Sequence, residues 1–383
     1  MKKTIYLDYA AATPTDEAVV KAMIPFFNDL FFNPSATYSP ALEVKRALTE
    51  ARKKISFHLG AKPEEIIFTA GGSEANNLAI HGIMTNYSGK NLVVSSIEHD
   101  SVLEVAKNYY YKEAPVDHSG LVVIDSLFEL VNDDTVLISV MQANNEVGTI
   151  QPINEISKRI NSIRHERLES GNLTPLLLHS DAAQAANYLD LHHSKLGVDL
   201  MSLNGGKIYG PKQTGILFVK SGVKLKPLIS GGGQESNLRS GTENVAGCIG
   251  LACALEIAQE NRKAEYTRLS TIQQNGFSLI KDKLPNAVIN GSIKKRLPNN
   301  LHITLPDIDN EKLLFLLDSA GVYCSAGSAC SASSQKPSHV LGAMGISDQD
   351  ARNSIRITIG RQTTQSDMER AIDLITEIIT EKF

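Results

Sequence analysis

The sequence predicts an α/β fold, with a largely parallel sheet flanked by helices and a smaller α+β part behind it. From about residue 65 to 220, short apolar runs alternate with polar, helix-like stretches, which is typical of α/β domains. The runs are EEIIFTA, NLVVSSIEH, TVLISVMQ, PLLLHSDA, VDLMSLNG and TGILFVK. Each run ends in polar or glycine-rich residues, and functional residues of such sheets collect after the carboxyl ends of the strands. We therefore expect a site at that edge of the sheet.

The pattern changes after residue 230. A glycine-rich stretch, ISGGGQESNLRSGTEN, precedes a long helical pattern from about 245 to 285. LHITLP and SIRITIG then predict strands, and NEKLLFLLDSAG, HVLGAMG and QSDMERAIDLITEIITEKF predict helices. We assign residues 15–245 to a large domain. Residues 1–14 and 246–383 are expected to form a small α+β domain that carries a cysteine loop at about 324–335.

Composition narrows the functional class. Apolar residues make up 42% of the 383 residues and charged residues 21%, with a formal net charge of −4, so neither nucleic acid nor an anionic membrane is favoured as a direct partner. No segment approaches the ~18 apolar residues of a membrane span, and we expect a cytoplasmic protein. The four cysteines follow no metal-binding or disulfide spacing, so we expect no metal site. Cys248 and Cys253 lie in an apolar run and are expected to be packed core residues.

The segment FTAGGSEANNLAI, residues 68–80, predicts a strand that turns through two glycines into a helix. The free N–H groups at such a helix start can bind a phosphate, and glycines let it come close. Ser73 and Glu74 would open the helix. An ordinary turn with a capping serine explains the same residues, and the sequence leaves both interpretations open.

Two further side chains follow apolar runs. Asp181, in LLLHSDAAQ, ends a predicted buried strand, where a carboxylate needs a hydrogen-bonding or cationic partner; it is either a helix N-cap or a partner for a protonated ring nitrogen. Lys207, in NGGK, lies in a tight turn beside the sheet. It is either a solvated lysine or an amine nucleophile able to form a Schiff base. Phosphate, ring nitrogen and aldehyde are the three groups by which an enzyme holds pyridoxal phosphate.

An ordered set of motifs adds a family resemblance. YLDYAAATPTD, FTAGGSEANNLAI, IEHDSV, NNEVGTIQPI, SDAAQ, NGGKIYGPK, RSGTENV, SAGSACSAS and SIRITIGR occur in this order between about residues 4 and 378. The chain resembles the cysteine desulfurases, and in particular the group I branch, within the class V aminotransferase superfamily of fold-type I pyridoxal-phosphate enzymes. The resemblance implies a homodimer that acts on L-cysteine.

The resemblance also implies roles around the cofactor ring. Lys207 would form the Schiff base and move the substrate Cα proton. His99 would stack on the ring and assist proton transfer, while Asp181 would pair with the ring nitrogen. Gln184 and Asn145 would contact the ring hydroxyl side, and Asn145 also the substrate.

Other roles concern the phosphate and the substrate carboxylate. The resemblance implies that Gly72, Ser73 and Asn204 hold the phosphate, and that Thr242 reaches the phosphate in the neighbouring subunit. Arg356 would bind the substrate carboxylate in a forked geometry, which suits a planar guanidinium.

In the cysteine loop, the resemblance implies that Cys330 is the nucleophile. Its thiolate would take the substrate sulfur as a persulfide and pass it to an acceptor protein for iron–sulfur cluster assembly or tRNA thiolation. The glycine, alanine and serine around it predict a mobile loop. Cys324 is either a packed core thiol or a relay or disulfide partner of Cys330.

The motifs depart from the family at the phosphate end of the predicted site. A histidine usually precedes the Schiff-base lysine, where this chain has Gly206, and a serine usually stands at Asn204. We expect weaker or rearranged phosphate binding, because an asparagine amide and a glycine N–H can still donate. The segment NPSATYSPALEV also lacks the usual histidine and glycine after NPS, so substrate entry is expected to differ.

Two other functions remain possible on this sequence. One is another lyase or aminotransferase of the same fold, including one that acts on selenocysteine, which would not need Cys330. The other is a catalytically silent scaffold, which would be expected to have lost Lys207, Asp181 or Arg356.

Overall fold

The computed structural model describes residues 4–327 and 337–383. Its strands are β1 (Ile5–Tyr6), β2 (Ile66–Thr69), β3 (Asn91–Ser95), β4 (Tyr110–Ala114), β5 (Thr135–Ser139), β6 (Leu177–Asp181), β7 (Leu200–Asn204), β8 (Gly215–Val219), β9 (Val288–Ile289), β10 (Asn300–Thr304), β11 (Val322–Tyr323) and β12 (Ser354–Thr358). Its α-helices are α1 (Glu17–Met23), α2 (Pro25–Asn28), α3 (Ser39–Leu59), α4 (Gly72–Met84), α5 (Asp100–Ala106), α6 (Ile124–Glu129), α7 (Ile153–Glu169), α8 (His193–Leu196), α9 (Val245–Lys283), α10 (Asn310–Ala320), α11 (His339–Ala343), α12 (Asp348–Arg352) and α13 (Gln365–Lys382).

The largest sheet has seven strands in the order β2-β8-β7-β6-β5-β3-β4. Neighbouring strands from β7 to β4 along this order are parallel. Strand β8 is antiparallel to both of its neighbours, β2 and β7. The sheet is therefore mainly parallel with helices around it, and the predicted α/β class is confirmed.

All six predicted runs form strands of this sheet because their side chains alternate between two buried faces. In β8, Ile216 and Phe218 join an apolar cluster that includes residues of α3, α7 and α9. Leu217 and Val219 join a different cluster, built with α4 and α5. Strand β4 was not predicted; its sequence YYKEA lies at the sheet edge, where Tyr110 is 76% exposed and no apolar pattern is needed.

The part of the chain after α9 forms a three-stranded antiparallel sheet in the order β12-β10-β9. The predicted strands and helices of this part are confirmed, and α12 is an addition. Strand β1 pairs in parallel with β11, so the N-terminal segment joins this region. Helix α9 connects the two regions, since Leu251 packs with the large sheet and Leu269 with the small one. The division into domains 15–245 and 1–14 with 246–383 stays a prediction.

The start of α4 is fixed by the sheet beneath it. Gly71 precedes the helix with φ 144°, a backbone angle that favours glycine. It packs directly on Gly215 at the start of β8: a Cβ on Gly215 would lie 2.6 Å from the carbonyl carbon of Gly71. Gly215 is required for this close approach, which places the first turn of α4. Gly71 is required for its positive φ, because a Cβ on Gly71 would meet no described atom within 4 Å. Within residues 4–327 and 337–383, none of the helices has the length and apolar character needed to cross a membrane.

We expect Gly215→Ala to lower the free energy of unfolding by about 1–3 kcal/mol, because the added methyl must push the Gly71 backbone away. Urea unfolding of the full chain measures this. The matched control is Gly342→Ala in α11, where a Cβ meets nothing within 4 Å; it should leave stability unchanged or raise it by up to about 1 kcal/mol. Equal effects of the two substitutions would contradict the packing argument.

Candidate active site

One cavity lies at the carboxyl ends of the large sheet's parallel strands, closed on one side by the N-terminal segment. It brings together nine of the eleven predicted site residues. These are Gly72, Ser73, His99, Asn145, Asp181, Gln184, Asn204, Lys207 and Arg356. Asn76, Ser101 and Met141 also line it and were not predicted.

Asp181 is a buried carboxylate at the end of β6, with 7% of its surface exposed. Its Oδ1 accepts from the backbone N–H of Ala183 at 2.9 Å, so the N-cap interpretation holds in part. Its Oδ2 accepts from Nδ2 of Asn76 at 2.7 Å. Each oxygen of a carboxylate has two lone pairs, and the group retains the capacity to accept a further hydrogen bond inside the cavity.

Two buried ionisable groups lie behind Asp181, and the pKa of each is shifted toward its neutral form. Burial raises the pKa of the Glu98 carboxyl well above its ordinary value, and the charge of Asp181 raises it further. Burial also lowers the pKa of His179, whose ring nitrogens lie 2.9 Å from Ser139 Oγ and 3.0 Å from Ser202 Oγ. Both shifts favour uncharged side chains behind the carboxylate of Asp181.

Lys207 ends a short 3₁₀ turn, Gly205–Lys207, that follows β7. Its Nζ donates to the carbonyl oxygens of Ala10 at 2.9 Å and Ala11 at 2.6 Å. Gln184 Nε2 donates to the same carbonyl of Ala10 at 3.0 Å. The interpretation of Lys207 as a freely solvated surface lysine is therefore wrong, because its amine is held inside the cavity by the N-terminal segment.

His99 caps the N-terminus of α5. Its Nδ1 accepts from the backbone N–H of Ser101 at 3.1 Å and lies 2.9 Å from the Ser101 hydroxyl. A backbone N–H can only donate, so Nδ1 carries no proton in this arrangement and the neutral ring has its proton on Nε2. The structure thus determines the tautomer of His99.

Arg356 on β12 is a buried guanidinium whose side chain is 2% exposed. Nη1 donates to the carbonyl oxygen of Asn145 at 3.0 Å and Nη2 to Oδ1 of Asp8 at 2.6 Å. Its Nε has no hydrogen-bond partner within the described part of the chain. A guanidinium has five N–H donors, and those that remain can bind a carboxylate in the cavity.

The start of α4 forms the end of the cavity at which the family resemblance predicts the phosphate. The N-cap is Gly71, and within the described residues no side chain caps the first N–H groups, so the alternative of a capping Ser73 is wrong. A connected space is lined by Ser73, Asn204 and Gly206, with Lys212 and Gln213 beside them. Asn204 Oδ1 accepts from the Gly206 N–H at 2.9 Å. The residues that replace the usual serine and histidine therefore bond to each other.

Thr242 does not lie in this cavity. It is exposed and lines a separate cavity with Arg239, Glu243 and Cys248. The structure therefore does not bring Thr242 together with the other predicted residues within one chain. Its predicted contact with a neighbouring subunit stays a prediction.

The residues that flank the cysteine loop are attached to the same site. Ser325 forms two backbone hydrogen bonds with Arg356, at 3.2 and 2.6 Å. On the far side, Ser338 Oγ donates to Oε2 of the buried Glu146 at 2.6 Å, and a Cβ on Gly327 would lie 3.1 Å from that oxygen. Cys330 and the predicted mobility of the loop fall on residues 328–336, outside the described residues.

Glu146 was missed by sequence reasoning although it lies inside the NNEVG motif, next to Asn145. Its carboxylate accepts a hydrogen bond from Ser338 on one side of the loop and lies near Gly327 on the other side. Ser338 is 192 positions from Glu146 in the sequence. The available signal was an acidic residue between Asn145 and the apolar Val147, which does not identify the partner of the carboxylate.

The three described cysteines are poor nucleophiles. Cys324 packs against the second apolar cluster, in agreement with a core thiol; burial raises its pKa to about 12, with a further increase from Asp8. Burial also raises the pKa of Cys248 and Cys253. The relay or disulfide role of Cys324 would involve Cys330 and stays untested.

Comparisons with known proteins agree on one family. The family described as Aminotransferase class-V matches residues 5–371. A protein of Dictyoglomus turgidum named Cysteine desulfurase IscS is 42% identical, over 99% of this chain and 95% of its own length. A protein of Methanosarcina thermophila with the same name is 40% identical, over 98% and 92%.

Solved structures give the same result. One described as a NifS-like protein has a TM-score of 0.89 and 33% identity, covering 99% of this chain and 100% of its own. A structure described as SspA in complex with cysteine has a TM-score of 0.80 and 35% identity, covering 93% and 99%.

We expect Cys324 to resist alkylation in the folded protein near pH 7.5, because with a pKa of about 12 only ~10⁻⁴ or less of the thiol is ionised. Its rate should rise about tenfold per pH unit up to pH 11, as the thiolate fraction grows. Iodoacetamide labelling at several pH values, followed by peptide mass spectrometry, measures each cysteine separately. Fast labelling of Cys324 at pH 7.5 in folded protein would contradict the assignment of a core thiol.

Proposed function

The chain belongs to the class V aminotransferase family, and we propose that it is a pyridoxal-phosphate-dependent cysteine desulfurase that converts L-cysteine to L-alanine and a persulfide on Cys330. The observation that carries the proposal is one cavity in which Lys207, Asp181, His99 and Arg356 meet. Relatives 38–42% identical over nearly the whole chain bear the name cysteine desulfurase, and the structure of SspA is described as a complex with cysteine.

The cavity offers a suitable partner for each of three groups of pyridoxal phosphate: the phosphate, the ring nitrogen and the aldehyde. The uncapped first turn of α4, after Gly71, offers N–H donors to the phosphate. The carboxylate of Asp181 offers an acceptor to the ring nitrogen, and Nζ of Lys207 an amine to the aldehyde. When bound, the cofactor supplies an electron sink that stabilises negative charge on the carbon next to the substrate amine.

The substrate carboxylate is bound by Arg356. Its guanidinium is already oriented by Asp8 and by the Asn145 carbonyl, so little side-chain freedom is lost on binding. Asn145 also lines this cavity.

Proton transfer falls to Lys207 and His99. As a free amine, Nζ of Lys207 accepts the proton from the substrate α-carbon. As an ammonium it is held by the carbonyl oxygens of Ala10 and Ala11. His99 is held with its proton on Nε2 by the contacts of Nδ1 with Ser101, and in this state it acts as a hydrogen-bond donor.

Sulfur transfer falls to Cys330. Its thiolate attacks the sulfur of the bound cysteine; the S–S bond of the persulfide forms as the C–S bond breaks, and that electron pair stays on the carbon fragment, which is protonated and leaves as alanine. Cys330 is three residues beyond Gly327, a reach of about 10 Å in an extended chain. Gly327 itself lies against Glu146, the neighbour of Asn145 in the chain.

We also propose partners for the reaction. An acceptor protein for iron–sulfur cluster assembly or tRNA thiolation would remove the persulfide sulfur. A homodimer would bring Thr242 to the neighbouring cavity, which agrees with its exposed position away from its own. A cytoplasmic location also stays a prediction. The scaffold alternative is disfavoured, because Lys207, Asp181 and Arg356 are all present and share one cavity.

Replacement of the loop cysteine tests the mechanism. We expect Cys330→Ala to reduce sulfide release from L-cysteine at least ~100-fold, since the sulfur acceptor is removed, while the absorbance of bound pyridoxal phosphate is kept. The matched control is Cys324→Ala, six positions earlier, which should keep most of the activity. Alanine and sulfide assays with visible spectra measure both variants. Full activity of Cys330→Ala would exclude this mechanism.

Gly206 offers a test of cofactor binding. A Cβ at this position would have no contact under 3.4 Å, so a side chain fits. We expect Gly206→His to lower the dissociation constant of pyridoxal phosphate about 3- to 10-fold, through one added hydrogen bond to the phosphate. Gly206→Ala fills the same space without a donor and should not do so. Equilibrium titration followed by absorbance measures the constants, and equal affinity of the two variants would contradict the expectation.

A further inference from the structure

Asn76 and Ser101 link the two residues that flank the predicted cofactor ring. Asn76 lies one turn into α4 and Ser101 in the first turn of α5. Nδ2 of Asn76 lies 2.7 Å from Oδ2 of Asp181 and 2.8 Å from Oγ of Ser101. Oγ of Ser101 lies 2.9 Å from Nδ1 of His99. A continuous chain of hydrogen bonds therefore runs from Asp181 to His99.

The direction of every bond in this chain is determined. An amide nitrogen can only donate, so both hydrogens on Nδ2 of Asn76 are used, one toward Asp181 and one toward the Ser101 hydroxyl. The Ser101 backbone N–H donates to Nδ1 of His99 at 3.1 Å, which shows that Nδ1 is an acceptor. The Ser101 hydroxyl accepts from Asn76 and therefore gives its own proton to the same nitrogen.

Burial makes this arrangement costly to change. Asn76 is 1% exposed, and its Oδ1 has no hydrogen-bond partner within the described part of the chain. Rotating the amide would bring Oδ1 against the oxygens of Asp181 and leave both donors unpaired, which is unfavourable in a buried site. The amide is retained in one orientation by its two acceptors.

We propose that Asn76 and Ser101 are positioning residues of the desulfurase reaction, which hold the carboxylate of Asp181 and fix the Nε2–H tautomer of His99 through one directed chain of hydrogen bonds. The proposal rests on the proposed function for the roles of Asp181 and His99. Neither residue touches the reacting atoms in this account. They act on catalysis through the two side chains that they orient.

The chain also gives α4 a second task. Its first turn presents N–H groups at the phosphate end of the cavity, and Asn76 orients the partner of the ring nitrogen. A single rigid helix thus relates the phosphate site to the ring-nitrogen site. Any shift of α4 would move both together.

The tautomer can be measured without cofactor and without turnover. The full chain, labelled with ¹⁵N-histidine, contains ten histidines, and the His99 signals are those lost in His99→Gln. We expect an unprotonated Nδ1 and a protonated Nε2 in the unmodified chain. Ser101→Ala should raise the population of the Nδ1–H tautomer without making it dominant, because it removes the hydroxyl donor to Nδ1 but keeps the backbone N–H donor. Ser101→Thr should keep the original signals because it keeps the hydroxyl.

Kinetics of the protein with added pyridoxal phosphate provide the second readout. We expect kcat to fall about 3- to 10-fold in Ser101→Ala and about 10- to 100-fold in Asn76→Ala, which also removes a hydrogen bond to a carboxylate. KM should stay within about twofold, because Arg356 is untouched. Asn76→Ala should also change the absorption spectrum of the bound cofactor, and Asn261→Ala, a surface asparagine on α9, should change neither.

Three outcomes would overturn the proposal: a protonated Nδ1 of His99 in the unmodified chain, an unchanged tautomer in Ser101→Ala, or no rescue by Ser101→Thr. If Asn76→Ala does not fold, the two Ser101 variants decide alone. If the protein fails to turn over cysteine but the tautomer responds as expected, the proposed function fails while the hydrogen-bond chain stands. The two failures are therefore distinguishable.

Discussion

The close contact between Gly71 and Gly215 is the constraint on which the site depends. Because β8 runs antiparallel to β2 and β7, its first residue lies beside the turn that leads from β2 into α4. A side chain at Gly215 would push the Gly71 backbone away from the sheet, and a side chain at Gly71 would be strained by the positive φ at that position. The contact lets α4 begin directly above the sheet edge with free N–H groups, and it places Asn76 at the height of the carboxylate that ends β6.

The second element of the site comes from outside the large sheet. The N-terminal segment pairs through β1 with β11. Further along, its Ala10 carbonyl accepts hydrogen bonds from Lys207 and Gln184. Asp8 of the same segment forms a buried ion pair with Arg356. A buried arginine is tolerated only when it is paired and hydrogen-bonded. The ion pair between Asp8 and Arg356 joins the N-terminal segment to β12 at one side of the cavity.

Much of the site could be predicted from the sequence, because neighbouring parallel strands align their carboxyl ends. Residues that follow these ends, such as Asp181 and Lys207, therefore lie in one cavity. Strand β4 could not be predicted from the sequence, because a strand at an exposed sheet edge needs no apolar pattern. Asn76 and Glu146 could not be either, because their partners lie 105 and 192 positions away. The sequence left open whether Ser73 caps α4; in the structure the helix begins at Gly72 after Gly71, without a side-chain cap, and Ser73 lies inside it.

Glu146 connects the candidate active site to the residues on both sides of the cysteine loop. Its backbone N–H is held by Asn144 and its carbonyl by Asn300, so its carboxylate has little freedom to move. That carboxylate binds Ser338 beyond the cysteine loop and touches Gly327 before it. The chain on either side of the loop is therefore positioned from the same motif that supplies Asn145 to the cavity. Cys330 follows Gly327 by three positions, so chain length limits its distance from Gly327 to about 10 Å.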